Sequence, residues 1–180
     1  REETRSGLLT NYTERTRSFF KTNMKYFCKY FHTTDFLVEQ EIKRAISDTN
    51  YENAINICEK NIALGIDKSF CYQAEASVFY KSGKFPEMLT AAKYGLAVNR
   101  TDCMNYGNLA AALLKTNDFK NGLKYADTCI QMCSDYGKGY LIRGQIKLKL
   151  NDPSGGCIDL EHAKQFGAIA DDSAIYSLCK

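Results

Sequence analysis

The chain has little proline, 2 residues in 180, where ordinary usage near ~5% would give roughly nine. All-β folds punctuate their strands with Gly/Pro turns, so this scarcity favours helices. Tryptophan is absent, and the only histidines are His32 and His162. The longest apolar run, Leu109 to Leu114, is six residues, against the about 20 that a membrane-spanning helix needs. No Gly-rich phosphate loop, GxSxG or HExxH motif occurs, and neither histidine lies in a recognisable nucleophile–base context. These absences point away from an enzyme and imply no cofactor. Apolar residues at 44% and charged residues at 25% are enough to bury a core, which excludes wholesale disorder.

Cysteine is present, but not in a form that announces its use. None of Cys28, Cys58, Cys71, Cys103, Cys129, Cys133, Cys157 and Cys179 forms a CxxC pair, so the spacing of structural zinc is missing and no metal site is expected. Burial as small apolar side chains is the leading expectation, with one or two disulfides as the alternative. Asn11-Tyr12-Thr13 and Asn99-Arg100-Thr101 match the glycosylation acceptor pattern, which has meaning only in a secretory context.

Charge is uneven. Residues 1–33 hold seven Lys/Arg against three Glu, while residues 34–180 hold seventeen against eighteen acids. Between residues 15 and 31 Arg15, Arg17, Lys21, Lys25 and Lys29 interleave with Phe19, Phe20, Met24, Tyr26, Phe27, Tyr30 and Phe31. The spacing predicts a basic amphipathic helix. Packing onto the following residues is the favoured expectation, contact with an anionic membrane the alternative, and nucleic acid the least supported. The chain starts at Arg1 without Met, which implies removal of something upstream. The compartment stays open, the cytoplasm being slightly favoured.

A repeat organises the remainder. Tyr72, Tyr106 and Tyr140 are spaced 34 apart, as are the small residues Ala76, Ala110 and Gly144 and the turn residues Gly83, Asn117 and Asn151. Thr49-Asn50-Tyr51 is the earlier counterpart of that turn. Each copy reads as two amphipathic helices around a tight turn, with small residues where the helices cross. Asp152-Pro153 reads as an N-cap and first helical position, and Gly65, Gly83 and Gly167 as helix stops.

This 34-residue helix-turn-helix pattern resembles the tetratricopeptide repeat (TPR) family. The departures are Met88, Gly122 and Gly156 at a usual Ala position, and the absence of a terminal Pro. The end of the chain is similar to the ends of many bacterial TPR proteins. The expected architecture is all-α, a right-handed α-solenoid. A basic, aromatic N-terminal helical region (1–34), alternatively a degenerate repeat, precedes four repeats (35–68, 69–102, 103–136 and 137–170), and a capping helix (171–180) with Ile175 and Leu178 covers the last core.

The resemblance implies a concave face lined by first helices, suited to a peptide or protein partner. In the family register its residues are Phe70, Gln73, Ser77, Tyr80 and Lys81, then Met104, Gly107, Asn108, Ala111, Leu114 and Lys115, then Lys138, Leu141, Ile142, Gln145, Leu148 and Lys149. Lys81, Lys115 and Lys149 form a 34-spaced ladder, more simply read as cations at the negative ends of helix dipoles. Some TPR proteins grip a C-terminal carboxylate with Lys, Asn and Arg. Here Asn108 and Lys138 match, but Gln73, Ser77 and Ile142 do not, and Arg143 is ~100° away on its helix. That grip is therefore not expected. The function expected is a non-enzymatic interaction scaffold, or alternatively a regulatory or membrane-peripheral arm of a larger protein contacting through the N-terminal helix.

Overall fold

The computed structural model describes the backbone of residues 24–170 and 173–179 and the side chains of residues 36–170 and 175–179. The side chains of the basic stretch 15–31, with the membrane and packing contacts expected of it, lie outside the described residues. Two compact units are present, one ending at Glu41 and one starting at Ile42. The described part of the first is helical, with Phe36 and Leu37 exposed.

Eight α-helices occur among the described residues: α1 (Met24–Ser47), α2 (Tyr51–Leu64), α3 (Lys68–Lys81), α4 (Phe85–Val98), α5 (Cys103–Lys115), α6 (Phe119–Met132), α7 (Gly137–Lys149) and α8 (Pro153–Gln165). A 3-10 helix, Ser173–Cys179, follows. No strand is present among the described residues. Helix α1 runs without a break through residue 34, where the repeat register placed a boundary.

Turn chemistry explains the hairpins. Thr49, Gly83, Asn117 and Asn151 all adopt positive φ, at 56°, 74°, 63° and 63°. In each turn the next residue donates its N–H to a carbonyl five residues back: Asn50 to Ala45, Lys84 to Phe79, Asp118 to Leu113 and Asp152 to Lys147, all at 2.9 Å. This closure satisfies a carbonyl orphaned at the helix end and requires a left-handed residue, which Gly and Asn adopt cheaply. Asn50, Asp118 and Asp152 then cap the next helix through their side chains. Lys84 does not, and Pro86 in the first turn of α4 helps set that start instead.

Helix crossings use the small residues. Ala76 and Ala110 are buried, while α7 and α8 approach through two glycines. A Cβ on Gly144 would lie 2.9 Å from the Gly156 carbonyl oxygen, and one on Gly156 3.0 Å from that of Gly144. Gly156 thus departs from the family's Ala because the opposing backbone fills the space. Each periodic tyrosine meets a ring on the following helix or just beyond it. Tyr72 stacks on Tyr94 at 5.5 Å, Tyr106 lies 6.4 Å from Tyr125, and Tyr140 contacts His162 and Phe166 at 5.2 and 5.6 Å. The cores bridge successive hairpins. Ala76, Met88, Leu109 and Leu113 join α3–α4 to α5, and Ala110, Leu114, Ala126 and Ile146 join α5–α6 to α7. Each hairpin therefore buries its apolar face on the next, as a solenoid requires.

The expectation for cysteine needs correction. Cys103–Cys133 and Cys157–Cys179 are disulfides, and only Cys58, Cys71 and Cys129 are described as free, buried thiols. The bonded partners are 30 and 22 residues apart, so no local spacing reveals them; folding back of the chain brings them together. The first closes the ends of the α5–α6 hairpin. Its counterparts 34 residues earlier are Ser69 and Asn99, where buried Asn105 donates from Nδ2 to Ser69 Oγ (3.2 Å) and to the Asn99 carbonyl (2.9 Å). The second fastens the 3-10 helix to α8. There Ile175 is half-buried, but Leu178, expected over the last core, is 62% exposed.

One core position carries three chemistries at 34-residue spacing: Glu75, Leu109 and Arg143. Leu109 is buried among apolar residues. Arg143 donates from Nε and Nη2 to Asp159 (2.8 and 2.7 Å) and from Nη1 to Asp127 (2.9 Å), and Lys147 adds a 2.8 Å contact to Asp159. Asp159 is 1% exposed. Burial alone would raise its pKa, but the hydrogen bonds from Arg143 and Lys147 hold it below the usual aspartate value. Glu75 is 9% exposed, and burial, then the charge of Glu59, pushes its carboxyl up to about 7. An acid whose pKa rises on folding favours the native state when protonated. Its contribution is complete below the ordinary value of 4.5 and is lost as pH climbs through about 7. Glu75→Gln should therefore stabilise the fold by roughly 2–3 kcal/mol near about pH 8 and by little near about pH 4. Urea unfolding at both pH values checks this; an equal effect at the two would refute it.

Candidate partner-binding face

The expected face draws on α3, α5 and α7, and burial sorts its members. Ser77, Lys81, Met104, Lys138 and Lys149 are exposed, whereas Phe70, Gln73, Tyr80, Asn108, Ala111, Lys115, Leu141, Ile142, Gln145 and Leu148 are half-buried. Leu114 is 8% exposed and belongs to the core with Ala110, Ala126 and Ile146. It presents almost no surface to a partner, and this corrects the register-based expectation. Ile142 packs against the same core.

Other members are already engaged. Gln73 donates from Nε2 to Asp102 Oδ2 (2.7 Å) and Asn105 Oδ1 (3.0 Å), tying α3 to the start of α5. A Cβ on Gly107 would meet Tyr136 Cε1 at 3.2 Å and Cys129 Sγ at 3.3 Å, so that position faces packed side chains. Leu148 lies over Gly156, where a Cβ would sit 2.8 Å from its Cδ2. The structure does bring Tyr80 and Lys115 together: the Lys115 ammonium stands 5.0 Å from the Tyr80 ring and 5.8 Å from that of Phe85. Such a contact contributes ~0.5–1 kcal/mol at an exposed site. Lys43 likewise sits 5.3 Å from the Phe70 ring. Lys81, Lys115 and Lys149 all lie in the last turns of their helices, where a cation meets the negative dipole end.

Among solved structures, MamA aligns over 74% of this chain and 73% of its own, with TM-score 0.61 and 11% identity. The Arabidopsis OM64 TPR domain aligns over 62% of this chain and 91% of its own, with TM-score 0.54 and 18% identity. The fold is that of the tetratricopeptide repeat. The second TPR domain of human RPAP3, solved in complex with an HSP70 peptide, aligns over 61% of this chain and 92% of its own, with TM-score 0.51 and 19% identity. Among curated proteins, the Hsp70-Hsp90 organizing protein 3 of Arabidopsis thaliana is 31% identical over 74 residues, which is 41% of this chain. The match spans only 13% of that protein's length. No family model matches.

In the register drawn from the resemblance, half-buried Ile142 stands where a carboxylate-gripping Arg would be expected. Arg143, its neighbour, is turned into the hairpin toward Asp127 and Asp159. Asp102, which the register does not assign to the expected face, stands beside Gln73 and sets a negative charge next to that residue. Its signal was local: it is the residue before the first helical position of α5, and its carboxylate accepts from the Met104 N–H at 2.9 Å. Among the described residues no group of His, Cys, Asp and Glu could hold a metal ion.

Proposed function

We propose that this TPR solenoid is a protein–protein interaction scaffold that binds an extended peptide along the first helices of its last three hairpins. The supporting observation is the division of labour on α3, α5 and α7. One side of each supplies the inter-hairpin cores, yet Phe70, Tyr80, Asn108 and Leu141 stay part-exposed beside exposed Met104 and Lys138. Aromatic and aliphatic surface edged by amides and lysines suits a peptide held by apolar contacts and backbone hydrogen bonds. Solved relatives with peptides bound, such as the second TPR of Spaghetti (RPAP3) with an HSP90 peptide, make the reading reasonable by analogy of fold. With Ile142 and Gln73 at clamp positions, the grip is not aimed at an acidic C-terminus. The two disulfides favour an oxidising compartment over the cytoplasm.

The test starts from phage-displayed random peptides selected on the 180-residue chain. Asn108→Ala with Lys138→Ala is expected to weaken the selected peptides about tenfold, the loss of one charge-assisted hydrogen bond, at unchanged melting temperature. Unaltered affinity in that double variant would remove the polar part of the reading. Selection of no peptide at all would remove the whole.

A further inference from the structure

Arg143 shows how this fold holds a guanidinium: Asp127 comes from the helix before and Asp159 from the helix after. Two repeats earlier the same three positions carry Glu75, Glu59 and Ala91. The charge at the core position is reversed, and the flanking cation that would answer it is missing. Among the described residues no hydrogen bond or ion pair reaches the Glu75 carboxylate, although the residue is 9% exposed. Without an ion pair, a carboxylate on a side chain this little exposed is costly to keep, and the corresponding Leu109 shows that the fold accepts an apolar residue there.

Glu75 borders an open cleft of ≈ 380 Å³ between α3 and α4, whose other walls include Tyr72, Phe79, Glu87, Thr90 and Tyr94. Tyr72 and Tyr94 stack with 29° between their planes. Aromatic faces beside a carboxylate form the chemistry that accepts a planar cation, by cation–π contact and a paired hydrogen bond. Ala91, in place of an aspartate, leaves room on the α4 side.

We propose that this cleft receives the guanidinium of an arginine presented by a partner polypeptide, with Glu75 as counter-ion and the Tyr72–Tyr94 pair as platform. The proposal relies on the scaffold reading only for the source of the arginine. The titratable groups facing Glu75 are Glu59 and Cys58 on α2, Tyr72 on α3, and Glu87 and Tyr94 on α4. None is a cation, and the acids among them reinforce the attraction for one. Because Glu75 must be ionised to pair, and its carboxyl titrates at about 7, binding strengthens as pH rises.

The experiment is an NMR titration of the full 180-residue chain with N-acetyl-arginine amide, and with the neutral isostere N-acetyl-citrulline amide. Saturable shifts are expected at Tyr72, Glu75 and Tyr94. Citrulline, or arginine with Glu75→Gln, is expected to bind at least about tenfold more weakly. Affinity for arginine should rise from about pH 6 to about pH 8. Since Glu75→Gln is expected to stabilise the fold, lost binding there is not lost structure. Absence of saturable shifts, equal binding of citrulline, or full binding by Glu75→Gln overturns the proposal. Asn108→Ala with Lys138→Ala should leave arginine binding unchanged, so the two readings fail separately. Loss in that variant would move the arginine to the other face and overturn the cleft.

Discussion

Arg143→Leu is expected to lower stability by about 3–5 kcal/mol, the usual cost of stranding one partner of a buried ion pair. Asp159 is 1% exposed and receives two hydrogen bonds from that guanidinium. Lys147, at 2.8 Å, remains to neutralise part of the charge, which places the loss toward the lower end. Changing both residues, Arg143→Leu with Asp159→Leu, should recover most of it, because the apolar solution already works at Leu109. The pH dependence has a definite sign. Asp159 titrates below its ordinary value of 3.8, so the pair's contribution is present above that value and is lost as pH falls through the lower native one. The double variant should therefore lose less stability in acid than the wild type. Urea unfolding followed by circular dichroism reads both effects. A single variant as stable as the wild type would show that the network contributes nothing.

Opening Cys103–Cys133 is expected to lower stability by about 3–4 kcal/mol, the loop-closure entropy returned to the unfolded chain when a link of this span is removed. The separation is 30 residues, and ordinary domains hold only about 5–15 kcal/mol in total. For a chain of this length the shift in melting temperature should be on the order of 10 °C. Cys103→Ser with Cys133→Ser should reproduce the effect of a reducing agent on this bond. Cys157→Ala with Cys179→Ala should cost less than its own separation of 22 residues suggests, because the 3-10 helix it fastens leaves Leu178 exposed and can detach without opening the hairpins. Identical melting curves with and without reductant would mean that the thiols are unpaired in solution.

The repeat was legible because its causes are local and periodic. Thr49, Gly83, Asn117 and Asn151 recur with the turn they make, and Tyr72, Tyr106 and Tyr140 recur with the rings they meet. The candidate face was legible only as a register. A register assigns a side of a helix, and the rotamer and the neighbouring hairpin decide what remains at the surface. The register therefore assigns Gln73 to the face although its amide is taken by Asp102 and Asn105, and Leu114 although it is core. The series Glu75, Leu109, Arg143 is also present in the spacing, but its meaning requires knowing that Asp127 and Asp159 converge on the last member and that, among the described residues, no cation pairs with the first.

By itself, then, the order of residues determined the all-helical hairpins, their length and their stacking, since turn propensity and apolar periodicity act within a few residues. Tertiary structure alone decided which cysteines pair, which charges are answered and where a cleft opens. Those outcomes depend on groups brought together from distant parts of the chain, and a one-dimensional pattern carries no information on such distances.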